Sequence, residues 1–316
     1  MTYNHSAGTI GLEVAGGGGA SAIDGLSDGF SGWGDNVGLG NGALDSTTEN
    51  QANRNTAVGV RSLTTVTIGD DNTAVGYEAL KLTSGGDNTA LGKDAGKNIS
   101  SGSRNLAIGS LSLDAATSEN DNIAIGYNSL GGSVSGAEKN VAIGNYAGDA
   151  ITSGGKNSLY GYESGTSLNV GHSNTFLGAY SGKDSSNPSY NVAIGYGASQ
   201  NNAQGGRVTA VGAFAGMYGD GNYTVYLGYA AGRFNTGESN IFIGDSVSQH
   251  GAGNKNIAIG HNAQGSSLSG HGNVIIGYDT DAPSGSGSRQ LIIAGNDGTT
   301  ATTWVTGNSS GVVNFP

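Results

Sequence analysis

Few residues in this chain have the type and spacing of a reactive centre. Gly307-Asn308-Ser309-Ser310-Gly311 matches the G-x-S-x-G pattern, in which a sharp strand-to-helix turn exposes a nucleophilic serine. That chemistry needs an acid and then a histidine further along, and only five residues follow Gly311, so the run reads as a turn. Gly38-Leu39-Gly40-Asn41-Gly42-Ala43 mimics a dinucleotide loop, but no helix or βαβ context follows it. His5, His172, His250, His261 and His271 show neither H-x-H nor H-E-x-x-H spacing. On a three-fold axis a single histidine could still supply three ligands; an exposed or interface histidine is the plainer reading. Polysaccharide-cleaving enzymes use paired carboxylates, whereas Asp70, Asp71, Asp87, Glu119 and Asp121 are scattered through loops. The expectation is therefore no catalytic residue, no metal and no cofactor.

The aromatic residues are more regular. Tyr77, Tyr127, Tyr162, Tyr196, Tyr229 and Tyr278 each follow a glycine that ends a short apolar run. Where that place holds Asn145, Ala179 or Ala213, the next residue is Tyr146, Tyr180 or Phe214. Such a row is read either as rings stacked along a scaffold or as a track for sugars. Tyr77, Tyr127, Tyr162, Tyr196 and Tyr229, with Trp304 near the end of the chain, are the candidate contact residues.

What positions them is a repeat of the form Asn, any residue, a small or apolar residue, Val/Ile/Leu, Gly. Its glycines run from Gly40 to Gly277 at intervals of 16 to 19 residues, most of them 17. A period of this size marks a repeat architecture. Well-formed copies include Asn72…Val75-Gly76, Asn122…Ile125-Gly126, Asn140…Ile143-Gly144, Asn191…Ile194-Gly195 and Asn256…Ile259-Gly260. Each is short, rich in β-branched residues and bounded by Gly, Asn, Ser and Asp, which is a strand signal. No 3.6-residue period supports a helix. The reading is an all-β parallel solenoid of about 15 rungs, on the order of 65–70 Å long at strand spacing.

Side chains alternate across a strand. Ala74 and Gly76 share one face and Thr73 and Val75 the other, and neither face is charged. A strand apolar on both sides is buried on both sides. One face is expected to line a coil so narrow that only Ala or Gly fits. The other calls for a neighbouring subunit. Asn begins 13 of the 15 copies, with Val208 and Thr224 in its place in the other two. Its role is either a hydrogen-bonded ladder between rungs or turn chemistry alone. A small residue three places after the glycine, such as Ala79 or Ser112, reads as a second inward position.

Composition narrows the function class. The chain has 60 glycines, no cysteine and a net charge of −11, without a basic run. Nucleic-acid binding, which relies on basic residues, and disulfide or thiolate-metal chemistry are not expected. No stretch approaches a membrane-spanning helix, so membrane insertion is not expected. The start of the chain lacks the basic region and apolar core of a secretory signal, so the chain is expected to be made in the cytoplasm.

Asn140-Val141-Ala142-Ile143-Gly144, Asn191-Val192-Ala193-Ile194-Gly195 and Asn256-Ile257-Ala258-Ile259-Gly260 resemble the YadA-like head repeats of trimeric autotransporter adhesins. The longer spacing and the Gly-Tyr-Glu-Ala-Leu continuation look more like bacteriophage tail-fibre proteins. The resemblance covers roughly residues 36–280. It implies a left-handed β-roll assembled as a homotrimer. The adhesins also carry a secretion signal, a heptad stalk and a membrane anchor, and their absence here favours the phage form.

The expected organisation is an N-terminal lead-in or attachment segment over 1–35, a shaft over 36–282 and a small β cap or tip over 283–316. The expected role is non-enzymatic: an adhesive fibre or spike on a phage virion, made in the host cytoplasm. Its partners would be two further copies, other tail or baseplate proteins, and a host surface glycan or protein. Capsid decoration without a receptor, or a polysaccharide depolymerase, are the other classes weighed. The loops Asp114–Asp121, Gly131–Lys139 and Asp184–Tyr190 are the expected contact loops, because insertions between repeats project on one face.

Overall fold

A computed structural model describes residues 2–4, 9–11, 35–46, 51–133, 135–202 and 205–315. The Gly16–Gly19 run, Trp33 and nearly all of the expected attachment segment lie outside the described residues. Among the described residues every regular element is a strand. β1 (Thr2–Asn4) and β2 (Thr9–Gly11) form an antiparallel pair. The rungs then follow as β3 (Val37–Leu39), β4 (Thr56–Val58), β5 (Thr73–Val75), β6 (Thr89–Leu91), β7 (Leu106–Ile108), β8 (Ile123–Ile125), β9 (Val141–Ile143), β10 (Ser158–Tyr160), β11 (Thr175–Leu177), β12 (Val192–Ile194), β13 (Thr209–Val211) and β14 (Val225–Leu227). β15 (Phe234–Asn235), β16 (Ile241–Ile243), β17 (His250–Gly251), β18 (Ile257–Ile259), β19 (Val274–Ile276), β20 (Leu291–Asn296), β21 (Ala301–Gly307) and β22 (Val313–Asn314) complete the chain.

Successive repeat strands pair in parallel with like positions opposed, as in Thr56↔Thr73 and Val58↔Val75, or Val192↔Thr209 and Ile194↔Val211. The parallel stack continues to β20, where Leu291 to Ile293 stand over Val274 to Ile276, one turn beyond residue 282. β21 and β22 then run antiparallel. Eighteen strands share this sheet. No pair joins β22 back to β3, so it is an open stack and not a barrel. The architecture is a parallel β-solenoid of about 15 turns.

Three-residue strands can turn this tightly because the corners use left-handed backbone. In the rung of Gly76, Asp71, Glu78 and Leu80 have φ of 60°, 53° and 46°. Side chains avoid that region, and a network of axial hydrogen bonds holds them there. Gly76 N–H donates to Val58 O of the preceding rung, while Leu80 N–H donates to Ala95 O of the following one. The repeat glycine is itself the corner, not an inward position. Gly76 has φ +139°, and a Cβ on it would lie 2.3 Å from Gly92 O. Gly126, Gly144, Gly195 and Gly260 are held alike, each against the glycine one rung on.

The interior is one column. The strand centre is buried in every rung from Ala57 to Ile275, as are Ala79, Ser112 and their equivalents three residues past the glycine. Small residues do not fill the strand centre throughout: Leu159, Phe176, Tyr226, Phe242 and Ile275 occupy it in five rungs. Room for the aromatic rings comes from the left-handed corner four residues past the glycine. Where the strand centre is Ala74, Ala107 or Ala124, that corner carries a buried Leu80, Leu113 or Leu130. Where it is Phe176 or Tyr226, the corner is Gly182 or Gly232, and a Cβ there would come within 2.3 Å or 2.1 Å of the ring. The exchange is not confined to one turn: where centre and corner are both small, as at Ala142/Gly148 and Ala210/Gly216, a Cβ on the corner glycine would meet Leu159 or Tyr226 of the following rung, so the interior is filled between neighbouring turns.

Candidate functional site

The repeat asparagines form a ladder inside the stack. Asn72 Oδ1 accepts Asn88 N–H at 3.0 Å, and Asn72 Nδ2 donates to Gly85 O at 2.9 Å, so each side chain fixes the turn that enters the next strand. Asn122, Asn140, Asn191 and Asn256 act in the same way. Val208 N–H is the last group served by the first run, because valine has no oxygen to pass the bond on. The ladder resumes at Asn240 and ends on Gln290 N–H. These residues are scaffold.

Two surfaces lie outside this scaffold. The first is the outward face of the strands. Its third position is Leu39, Val58, Val75, Leu91, Ile108, Ile125, Ile143, Tyr160, Leu177, Ile194, Val211, Leu227, Ile243, Ile259 and Ile276 in order, aliphatic in every rung but that of Tyr160. Val37, Leu39, Leu91, Leu177, Leu227 and Ile241 are exposed among the large apolar side chains of this face. In-register pairing lines these side chains up as one stripe along the stack.

The second surface is aromatic. Tyr127, Tyr146, Tyr162, Tyr180, Tyr196, Phe214 and Tyr229 stand one per rung, alternately one and two residues past the repeat glycine. Each ring meets the next edge to face, with centroids 5.4, 6.4, 5.5, 5.4, 5.4 and 5.9 Å apart. That is the preferred arrangement for aromatic pairs. The row is thus continuous over seven rungs. Tyr77 stands apart from it, since the next two rungs carry Lys93 and Ser110. Tyr278 stacks on His261 instead. The carboxylate of Glu163 bonds the Tyr162 hydroxyl and pushes it up to about 12. Lys183, 2.6 Å from Glu163, holds that carboxyl below its usual range.

A groove of about 360 Å³ opens beside the ladder, lined by Tyr180, Lys183, Tyr196, Gln200, Phe214 and Met217. Nearby, Tyr218, Phe234 and His250 form a second column, stacked face to face at 5.1 and 4.8 Å. The guanidinium of Arg233 lies 5.0 Å from the Phe214 ring and 5.1 Å from the Phe234 ring. Sequence reading missed this second column. Its signal is an aromatic or His six residues past Gly212, Gly228 and Gly244, visible only once the rungs are aligned on their glycines.

The remaining candidates separate from this surface. Trp304 is exposed on β21 and covers Gly295, beside a shallow groove with Asn296, Asp297, Thr300 and Thr302. Asn308 Oδ1 accepts Ser310 and Val312 N–H, so the Gly307–Gly311 run is a turn. Within the Asp114–Asp121 loop, Glu119 is buried. Burial would raise its carboxyl, but N–H bonds from Gly136, Thr117 and Ser118 outweigh it and lower the group. Asp71 and Asp121 pair with Arg54 and Arg104 of the preceding rung. Among the described residues no group of three or more His, Asp or Glu could hold a metal, and no helix is long and apolar enough to cross a membrane. Comparison with protein-family models, with curated proteins and with solved structures finds no match to this chain.

Proposed function

We propose that the chain is the shaft of a trimeric adhesive fibre or spike on a phage particle, a non-enzymatic rod that contacts the host cell surface. The observation that carries the reading is the outward aliphatic stripe. Burial of apolar surface stabilises association by roughly 25 cal/mol per Å², and monomeric proteins rarely expose contiguous apolar patches beyond a few hundred Å². A stripe running the length of the stack calls for an equally long partner with the same repeat. A second and a third copy around a common axis supply it, rung for rung. The resemblance of the Asn-Val-Ala-Ile-Gly runs to YadA-like heads and phage fibres agrees with that assembly, and the left-handed sense of the roll belongs to the same proposal. β21 and β22, which leave the parallel register, would cap the stack against edge-to-edge growth. Three identical surfaces make weak contacts multivalent, with the aromatic ladder, the loops and Trp304 as the contact candidates.

The test is the solution mass of the purified chain by size-exclusion chromatography with light scattering. Three times 31.3 kDa is expected. A monomer would leave the stripe in water and overturn the reading. On particles, exchanging the loops 114–121 and 184–190 is expected to change which hosts adsorb the phage.

A further inference from the structure

We propose that the ladder from Tyr127 to Tyr229 is a docking track for an extended polysaccharide with a two-sugar, uronate-bearing repeat, lying parallel to the axis of the stack. The proposal rests on the fibre reading and names what the shaft would hold.

The first argument is period. Tyr127, Tyr162, Tyr196 and Tyr229 are the open rings, 41, 43, 51 and 51% exposed. Tyr146, Tyr180 and Phe214 between them are half-buried and support them edge-on. Open rings therefore recur every second rung, about 9.6 Å apart at the spacing of paired strands. Consecutive sugars of an extended β-linked chain alternate in orientation, so like faces also recur every second unit, at a similar length. The apolar face of a pyranose packs on an aromatic ring, and a tyrosine adds a hydroxyl for the sugar's own, except at Tyr162, whose hydroxyl is held by Glu163.

The second argument is placement. The rings lie on the corner after each strand and not on the outward face that carries the aliphatic stripe, so a trimer built on that face leaves the track to another ligand. The groove beside the track is bounded by rings and has Lys183, Gln200 and Met217 along it, which suits a chain carrying hydroxyls on its edges and carbon on its faces.

The third argument is charge. Lys183 is taken by Glu163. Arg233, wedged between Phe214 and Phe234, makes no ion pair among the described residues, and its Nε is buried without a hydrogen-bond partner. A guanidinium presents planar paired donors that match a carboxylate. Against a net charge of −11, which repels polyanions in general, this one cation fixes where an acidic sugar can sit.

The experiment measures retention of the full-length protein on immobilised hyaluronan, chondroitin and heparosan, whose repeats alternate uronate and hexosamine. Uncharged chitin oligosaccharide and dextran are the comparison. Retention by at least one acidic polymer and not by the neutral ones is expected. Tyr162→Ala/Tyr196→Ala should weaken it on the order of tenfold or more, the usual weight of buried aromatic contacts. Arg233→Gln should remove the preference for acid, and Tyr77→Ala should change nothing. Equal retention on neutral polymers, no retention at all, an unaffected ladder variant, or a ladder variant that dissociates the trimer each overturns the proposal. Light scattering on the same samples separates the two readings. A monomeric wild-type protein sinks the fibre assignment, whereas a trimer that no polymer retains sinks this inference alone.

Discussion

Removing one asparagine from the ladder should open the stack locally and by a definite amount. Asn157 Oδ1 accepts both Asn174 N–H and Asn174 Nδ2 at 3.0 Å, and its Nδ2 donates to Gly171 O at 2.9 Å and to Asn140 Oδ1 at 3.1 Å. Asn157→Ala leaves the Asn174 amide and the Gly171 carbonyl without these partners inside the roll. Each buried group so orphaned costs about 1–3 kcal/mol, which gives about 2–6 kcal/mol for the pair. In a stack each rung touches only its neighbours. The cost should therefore appear as faster amide hydrogen exchange around Ser158–Tyr160 and Thr175–Leu177, with Ile257–Ile259 unchanged. The natural gap supplies the reverse experiment. Val208→Asn, whose own N–H already bonds Asn191 Oδ1 at 2.8 Å, would offer an acceptor to Thr224 N–H and should slow exchange there. Uniform acceleration along the whole chain, or protection near Asn157 unchanged within about 0.5 kcal/mol, would refute the ladder as a source of stability, since either lies outside the expected cost of orphaned groups.

Three further predictions follow from the packing. Gly126→Ala places a Cβ 2.6 Å from Gly144 C and O at φ +132°, so soluble, fully folded protein should be lost, as read by expression and circular dichroism. Phe176→Ala should cost about 3–5 kcal/mol as a cavity; Gly182→Leu alone should clash with the ring, and the double variant, which recreates the Ala74/Leu80 arrangement, should melt above both single variants. Glu78, held to about 2 by Lys97 first and then Lys81 and Arg61, has a folded pKa below the unfolded value of about 4.3. Its contribution is full above that value and is lost as pH falls toward 2. Glu78→Gln should lower the melting temperature at pH 6, and the gap to wild type should close between about pH 4.3 and pH 2; a constant gap would contradict it.

Period, strand and interior were legible because the same residue types return at the same places. Asn72, Val75 and Gly76 recur as Asn122, Ile125 and Gly126, and a parallel stack is the arrangement that gives each copy the same environment. The pleat assigned Ala74 inward and Val75 outward from alternation alone. It misplaced Gly76, because a glycine at φ +139° ends the alternation at a corner. The coupling of Phe176 to Gly182 stayed hidden: it links a strand centre to a corner six residues on, and neither fits the repeat by itself. The aromatic rings alternate between two sequence positions, one and two residues past the glycine, and the fold brings both to one edge, where they meet ring to ring. The column of Tyr218, Phe234 and His250 depends on turns whose backbone direction composition does not set.

Every rung of this protein presents the same register to the rung above and to the rung below. The inter-rung spacing is about 4.8 Å, while loop lengths vary between glycines 16 and 19 residues apart. Extra residues bulge sideways and leave the spacing alone. The stack is therefore a ruler graduated in whole turns. Duplicating one repeat in frame would lengthen the rod by one graduation and create no surface that does not already exist, and deleting one would shorten it by the same step. Reach, in such a molecule, is counted rather than shaped, and a lineage could retune it without redesigning either end.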